Sequence, residues 1–222
     1  MTPDHTKDYN NFAVEYTNKF LEADAKSRDV FTRHLPSLAG KAVIDVGCGS
    51  GHDVATYTAA GARAFGVDPA ERFIVEARSR WPGIELAVGA AEQLPVPDAS
   101  FDVYTSVYAL QNADVPAALA EAARVLRPGG ELIILTKHPM RQFLEKKSEA
   151  RDYWTRENVP STIFGGTIPL NEPSQTLEDY LSPEFMRSFD ITHFEEGVDF
   201  PASDRVGEQN YPCYFILKAR RR

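Results

Sequence analysis

Residues 42–51 read Ala-Val-Ile-Asp-Val-Gly-Cys-Gly-Ser-Gly, and this stretch is the strongest indication of the fold. Its first five residues are mostly β-branched and apolar, which is typical of a buried strand. The alternating glycines favour a tight turn, because glycine adopts positive φ freely and lets a ligand approach the backbone. His52 to Tyr57 then reads as the start of a helix, whose first N–H groups favour an acceptor or an anion. Strand, glycine turn and helix start together indicate a nucleotide-type pocket.

Two acidic residues flank this predicted pocket. Asp45 lies at the tip of the buried strand, where an unpaired carboxylate is costly, so we expect it to have a cationic or N–H partner. Asp68 ends a second predicted strand, Ala64–Asp68, about 20 residues further on. A doubly wound sheet presents a carboxylate to ribose hydroxyls at that position.

The alternation of strand and helix continues as far as Thr136. It predicts a parallel sheet with right-handed crossovers and a ligand over the carboxyl ends of its strands. Further strands are predicted at Ile84–Val88, Phe101–Ser106, Glu131–Thr136, Phe189–Glu195 and Tyr211–Ala219. Helices are predicted at 8–24, 27–35, 70–81, 115–126 (with Asp114 as N-cap) and 175–185 (with Ser174 as N-cap).

Composition limits the classes of function that we consider. The 222 residues fit a single domain, and a formal charge of −8 argues against a nucleic-acid partner. The sequence lacks an apolar run near the ~18 residues of a membrane-spanning helix, and its first residues are unlike a signal peptide. The two cysteines, Cys48 and Cys213, suit a reducing compartment, so a cytoplasmic protein without a membrane partner is expected, as a monomer or homodimer.

Four ordered motifs resemble those of the class I S-adenosylmethionine-dependent methyltransferases that act on small molecules. They are Asp45-Val46-Gly47-Cys48-Gly49-Ser50-Gly51, Gly66-Val67-Asp68-Pro69, Ala90-Ala91-Glu92-Gln93-Leu94-Pro95 and Arg124-Val125-Leu126-Arg127-Pro128-Gly129-Gly130. The resemblance is strong over residues 40–136 and looser elsewhere. It implies an α/β, Rossmann-like, doubly wound sheet of seven mostly parallel strands with an antiparallel edge strand. It also implies S-adenosylmethionine as cofactor and S-adenosylhomocysteine as product.

The whole chain is predicted to form one methyltransferase domain with four parts. These are an N-terminal helical cap (1–39), a cofactor-binding core (40–136), a substrate lid after the fifth strand (137–173), and a C-terminal helix with edge strands (174–222). The lid prediction rests on an aromatic and glycine-rich excursion that includes Phe164-Gly165-Gly166, because long loops in compact domains usually serve binding.

The resemblance and the predicted strand ends suggest two sets of site residues. The cofactor-binding candidates are Tyr16, Arg28, Asp45, Gly47, Cys48, Gly49, Asp68, Pro69, Ala91, Glu92 and Ser106. In the family an acid often precedes Ala91 to receive the adenine amino group, but here that position is Ala90, which leaves Glu92 or the backbone. The substrate-binding candidates are Tyr9, Phe12, Tyr108, Gln111, Asn112, His138, Tyr153 and Trp154. Tyr16 and Arg28 would close over the cofactor and reach its methionine carboxylate, respectively.

His138 is the candidate general base, because it is the histidine predicted at the carboxyl tip of a central strand. A base is needed only when the acceptor must lose a proton early, as a hydroxyl must. The expected reaction is in-line transfer of the methyl group to a nitrogen or oxygen of a small-molecule acceptor. We expect no metal, because the sequence places no cluster of Asp, Glu and His at ligand spacing beside the lid, and Glu195-Glu196 is most simply a solvated strand end.

Two alternatives stay open. A nicotinamide-dependent oxidoreductase could use the same sheet, although such an enzyme favours Gly-x-Gly-x-x-Gly, whereas this chain has Gly47-x-Gly49-x-Gly51. It might also use a Tyr-x-x-x-Lys motif, but the match at Tyr214–Lys218 falls in a predicted strand, where the two residues lie ~13 Å apart. A non-catalytic S-adenosylmethionine-binding module that regulates a partner is the second.

Overall fold

In a computed structural model of the chain, the described residues are 6–23, 25–145, 152–163, 168–199 and 206–222. The helices are α1 (Thr6–Ala23), α2 (Ala25–His34), α3 (His52–Ala59), α4 (Glu71–Arg80), α5 (Val115–Val125), α6 (Pro139–Glu145), α7 (Leu177–Tyr180) and α8 (Pro183–Ser188). The strands are β1 (Ala42–Val46), β2 (Arg63–Asp68), β3 (Glu85–Val88), β4 (Phe101–Val107), β5 (Leu126–Lys137), β6 (Asn158–Ile163), β7 (Ile168–Pro173), β8 (Phe189–Gly197) and β9 (Tyr214–Arg221). Short 3-10 helices cover Leu110–Asn112 and Val206–Glu208.

Seven strands form one sheet in the order β3-β2-β1-β4-β5-β9-β8, which confirms the predicted Rossmann-like architecture. The strands from β3 to β5 are parallel, and β9 lies antiparallel between β5 and the edge strand β8. The order reverses at β1, so β1 and β4 flank the topological switch point, where such sheets bind ligands.

The sheet is covered on both faces, as a parallel sheet requires. One core cluster contains Tyr180 and Phe185 from the C-terminal helices, and the other contains Phe31 of α2 and Tyr57 of α3. Alternate side chains of β9 belong to the two clusters, because successive side chains of a strand point to opposite faces of the sheet.

Helix starts follow their local sequence. The Asp114 carboxylate accepts a hydrogen bond from the Ala117 N–H at 3.2 Å, which confirms the predicted N-cap of α5. The single helix predicted over 175–185 is wrong. Thr176 caps α7, and Ser182 caps α8 in front of Pro183, because a Ser-Pro pair starts a new helix more readily than it continues one.

The predicted lid, 137–173, contains α6 and an antiparallel hairpin of β6 and β7 that is separate from the main sheet. Phe164-Gly165-Gly166 lies outside the described residues. Within the part of the chain that the structure describes, no helix is both long and apolar enough to cross a bilayer.

Candidate functional site

The glycine turn after β1 is needed for both packing and space. Gly47, Gly49 and Gly51 all have positive φ, of 77°, 48° and 74°. A Cβ on Gly47 would lie 2.0 Å from the Cβ of Ala109, so this position must be glycine for the loop after β4 to pack against it. A Cβ on Gly49 would have no neighbour within 4 Å. The backbone of Gly49 therefore borders open space.

Asp68 stands beside that space at the end of β2. Its side chain is buried, and its two carboxylate oxygens accept hydrogen bonds from the N–H groups of Gly49 and Ala70, both at 2.9 Å. Burial raises the pKa of Asp68 to about 6, against the lowering effect of the two N–H donors. The carboxylate is therefore anionic at neutral pH, and each oxygen keeps a lone pair for a further donor.

A cavity of about 490 Å³ opens at the carboxyl ends of β1 to β4, a volume suited to a small-molecule ligand. Its wall includes ten of the predicted residues. Seven come from the cofactor set, namely Tyr16, Gly47, Gly49, Asp68, Pro69, Ala91 and Glu92, and three from the substrate set, namely Tyr9, Tyr108 and Asn112. Residues that are far apart in sequence thus meet at one mouth of the sheet.

Arg28 does not reach this cavity, contrary to the expectation that it binds the cofactor's carboxylate. Its guanidinium donates to the Asp53 carboxylate at 2.6 Å, and both residues line a second cavity of about 300 Å³. The ion pair links α2 to the first turn of α3. A sequence cannot show this pairing, because the partners lie 25 residues apart.

Three other cofactor candidates also lie outside the cavity lining. Asp45 is buried and accepts a hydrogen bond from the Thr105 hydroxyl at 2.8 Å, rather than from the N–H or cationic donor that we expected. Burial, and then the negative charge of Asp53, raise its pKa to about 8. The Ser106 hydroxyl donates to the Val46 carbonyl, and Cys48 packs into the core. Burial raises the pKa of the Cys48 thiol well above its usual value, which disfavours a nucleophilic thiolate.

His138 is not placed as a general base. It is buried, and its Nδ1 accepts a hydrogen bond from the Met140 N–H at 3.0 Å, so the neutral ring carries its proton on Nε2. Nε2 in turn lies 2.8 Å from Oε1 of Glu196. Burial lowers the pKa of His138, partly offset by the Glu196 carboxylate. The lone pair that a base would need is already used, and the ring does not line the cavity.

Four of the substrate candidates lie elsewhere. Gln111 is buried as a link between elements, since its amide donates to the Tyr108 carbonyl and accepts from the Thr136 hydroxyl. The Tyr153 hydroxyl accepts from the Leu177 N–H, and its ring packs edge-on against Trp154, which is 72% exposed. Phe12 is half-buried on α1 and does not line the cavity. Of the aromatic candidates Tyr9, Phe12, Tyr153 and Trp154, only Tyr9 thus lines the cavity.

The structure adds an aromatic wall that sequence reasoning missed. The Phe73 ring of α4 lies 5.5 Å from Tyr16 and 6.3 Å from Tyr9, and Asn112 donates to the Tyr9 hydroxyl at 3.0 Å. Burial raises the pKa of Tyr9 well above 10, so it stays a neutral phenol. The apolar position of Phe73 in the first turn after Asp68-Pro69 was the available signal.

A buried ion pair also escaped prediction. Lys137, the last residue of β5, contacts Glu172 of β7 at 3.0 Å, and both side chains are almost fully buried. A lysine that ends an apolar strand was the signal for it, but its partner in the hairpin was not predictable from spacing.

Known proteins are similar to this chain in sequence and architecture. The family described as "Methyltransferase domain" matches residues 44–134. The phthiotriol/phenolphthiotriol dimycocerosates methyltransferase of Mycobacterium leprae is 32% identical over 194 residues, which is 82% of this chain and 71% of that protein. A ubiquinone/menaquinone biosynthesis C-methyltransferase of Rubrivivax gelatinosus is 36% identical over 47% of this chain and 43% of that protein. The chain spans 38% to 62% of the length of five further curated relatives.

A solved structure supports the same fold. The crystal structure of an S-adenosylmethionine-dependent methyltransferase from Mesorhizobium loti aligns with a TM-score of 0.70 at 24% identity. The alignment covers 87% of this chain and 96% of that one.

Proposed function

The chain belongs to the class I S-adenosylmethionine-dependent methyltransferases, and we propose that it transfers the cofactor's methyl group to a nitrogen or oxygen of a small-molecule acceptor. The observation that carries the proposal is the cavity at the strand ends, bounded by the open face of Gly49 and the carboxylate of Asp68. When bound, the cofactor supplies an electrophilic methyl group on a sulfonium.

The residues of the cavity fit this cofactor. Asp68 would accept hydrogen bonds from the ribose hydroxyls with the lone pairs that its backbone donors leave. The backbone at Ala91 would face the adenine. Oε1 of Glu92 accepts a hydrogen bond from the Asp114 N–H at 2.7 Å, so that side chain holds the loop after β3 against the start of α5.

The chain's own contribution to catalysis is positioning. Holding an acceptor's lone pair in line with the methyl group and its leaving sulfur lowers the barrier by up to ~7–11 kcal/mol. Tyr9, Tyr16 and Phe73 supply a rigid aromatic wall for this purpose, and their rings can also face a positive sulfur. The cavity needs to exclude water and orient the acceptor more than it needs to activate it.

The side chains around the cavity favour an acceptor that needs no base from the protein. No histidine, lysine or cysteine is found among the described residues that line it. Its two carboxylates, Asp68 and Glu92, already accept backbone hydrogen bonds, and Tyr9 stays protonated. We therefore favour a nitrogen with a free lone pair or an oxygen that is already ionised. A carbon acceptor, as the name of the Rubrivivax relative implies for that protein, would have to give up a proton before or after the methyl transfer, and the described lining offers no free base to take it.

The acceptor side is proposed to involve residues 137–173. β7 packs against α1 and against the 3-10 helix Leu110–Asn112, two elements whose side chains line the cavity. The ion pair of Lys137 and Glu172 fastens this hairpin to the end of β5. The hairpin is therefore well placed to shape the acceptor's entrance.

Calorimetry with S-adenosylmethionine, S-adenosylhomocysteine and NAD tests the cofactor. We expect the first two to bind and NAD not to bind, and binding of NAD alone would contradict the proposal. A metabolite extract incubated with isotope-labelled methyl donor then tests transfer. A labelled N- or O-methyl product is expected. A C-methyl product would overturn the acceptor class, and tight binding without turnover would indicate the regulatory module.

A further inference from the structure

Three side chains converge at the edge of the sheet, among residues that do not line the cavity described above. His34 is the last residue of α2, while His193 and Glu195 lie two residues apart on β8 and so share one face of the sheet. Oε2 of Glu195 lies 3.1 Å from Nε2 of His34 and 3.3 Å from Nε2 of His193. The two imidazole rings are 4.2 Å apart, tilted by 31°.

These distances match the spacing of ligands around a small metal ion. A tetrahedral Zn²⁺ site has bonds of about 2.0–2.2 Å, which places neighbouring ligand atoms about 3.3 Å apart. One donor atom from each of the three side chains lies within 4.8 Å of the others, so a small rotation would close them around an ion. Imidazole nitrogens suit Zn²⁺, Ni²⁺ and Cu²⁺ rather than Mg²⁺ or Ca²⁺.

The geometry points to a divalent transition-metal site formed by His34, His193 and Glu195, with a fourth position open to water. Two histidines and one glutamate are an established ligand set for Zn²⁺ in proteins. The Glu195 side chain is 39% exposed at the strand end, and two histidines from different elements contact its carboxylate.

The backbone of β8 is adapted to this convergence. Its register with β9 shifts between Ile191 and His193, which pair with the adjacent residues Ala219 and Lys218. Such a bulge re-aims the side chains that follow it. The neighbouring charge of Lys218 is compensated, because its ammonium group lies 2.9 Å from Glu131 and donates to the backbone carbonyl of His34.

A metal at this position would fasten α2 to the edge of the sheet. The same helix carries Ser27, whose hydroxyl accepts from the Tyr108 hydroxyl at 2.8 Å, and Arg28, which holds Asp53. Tyr108 lines the cavity. The metal would thus act as a structural clamp on a helix that supports the cavity wall, without contacting a ligand there.

Zinc titration of the full chain, produced without a histidine tag and dialysed against a chelator, tests the site. We expect one Zn²⁺ per chain by calorimetry and, with Co²⁺, the intense visible absorption of a four-coordinate ion. His193→Ala and Glu195→Gln should each weaken Zn²⁺ binding at least ~10- to 100-fold, the range that follows even from loss of a ligand's hydrogen-bond partner. His52→Ala is the matched control, because it removes a histidine on α3, and it should bind Zn²⁺ like the wild type.

Thermal unfolding gives a second readout. Zn²⁺ should raise the Tm of the wild type, because an ion that binds only the folded chain stabilises it, and it should not raise the Tm of Glu195→Gln. If His193→Ala does not fold, the near-isosteric Glu195→Gln decides. The proposal is overturned if the wild type shows no saturable binding, if Glu195→Gln binds Zn²⁺ with wild-type affinity, or if His52→Ala abolishes binding.

Discussion

Replacing Asp68 by asparagine removes the negative charge at the end of β2 and keeps the size of the side chain. Among the described residues of the cavity wall, the Asp68 carboxylate is the acidic group that two backbone N–H donors hold, at Gly49 and Ala70. A hydrogen bond to a charged group contributes about 1.5–3 kcal/mol. Asp68→Asn should therefore weaken the binding of S-adenosylhomocysteine roughly 10- to 150-fold.

The pKa of Asp68 adds a pH dependence to this prediction. Burial raises that pKa to about 6 in the protein without ligand. Hydrogen bonds from ribose hydroxyls favour the ionised carboxylate, so ligand binding should lower this raised pKa. The affinity should then be constant above pH 7 and fall as the pH drops below about 6, by up to roughly tenfold per pH unit. Asp68→Asn should lack this dependence.

Calorimetric titration of S-adenosylhomocysteine between pH 5 and 8 measures both effects. Asp190→Asn is the matched control, because Asp190 lies on the edge strand and pairs at the surface with Arg222. It should bind like the wild type at every pH. Wild-type affinity in a folded Asp68→Asn variant, or a flat profile in the wild type, would refute the reasoning.

The remaining predictions concern the turn, the histidine and the buried ion pair. Gly49→Val should abolish cofactor binding, measured by calorimetry, because the valine methyl groups would occupy the open space beside the turn. The left-handed backbone at this position should lower the free energy of unfolding by only about 1–2 kcal/mol, measured by urea unfolding. His138→Ala should lower the Tm but leave kcat and KM close to wild type, and a hundredfold fall in kcat would restore its role as a base. Lys137→Met should cost about 3–5 kcal/mol of unfolding free energy, because Glu172 is left buried without its cation. Adding Glu172→Gln should recover part of that loss, and a neutral outcome for the single variant would show that the pair is not needed.

The part of the cavity wall formed by the glycine turn and Asp68 could be predicted because short stretches of sequence determine it. A strand, a glycine turn and a helix start follow one another within residues 42–59, and Asp68 ends the neighbouring parallel strand. Sheet topology then brings these strand ends together without any information from side chains. Gly47 and Gly49 were found for the same reason, since their positive φ is a property of the local chain.

Side chains whose partners lie in distant elements could not be placed in this way. The sequence could not show whether Arg28 reaches a ligand, and the position of Asp53 across the helix interface decides this. His138 was correctly predicted to lie near the end of β5. Its ring orientation, however, depends on the Met140 N–H and on Glu196 of the edge strand. For the same reason the sequence could not show that His34 lies beside His193 and Glu195, because these residues meet only after the last two strands have paired.

The contrast between locally determined residues and residues with distant partners corresponds to a contrast between the two proposed sides of the cavity. The proposed cofactor side uses backbone groups and one carboxylate, so we expect it to tolerate little change at Gly47, Gly49 and Asp68. The proposed acceptor side consists of α1, the 3-10 helix after β4 and a hairpin beyond β5, three segments that pack together without forming part of the sheet. A reactive sulfonium needs an acceptor that is held in line more than one that is activated. Because positioning can be altered by residues in any of these three segments, the acceptor can change while the cofactor-binding strands stay the same, and relatives that share the core can differ in the atom that they methylate.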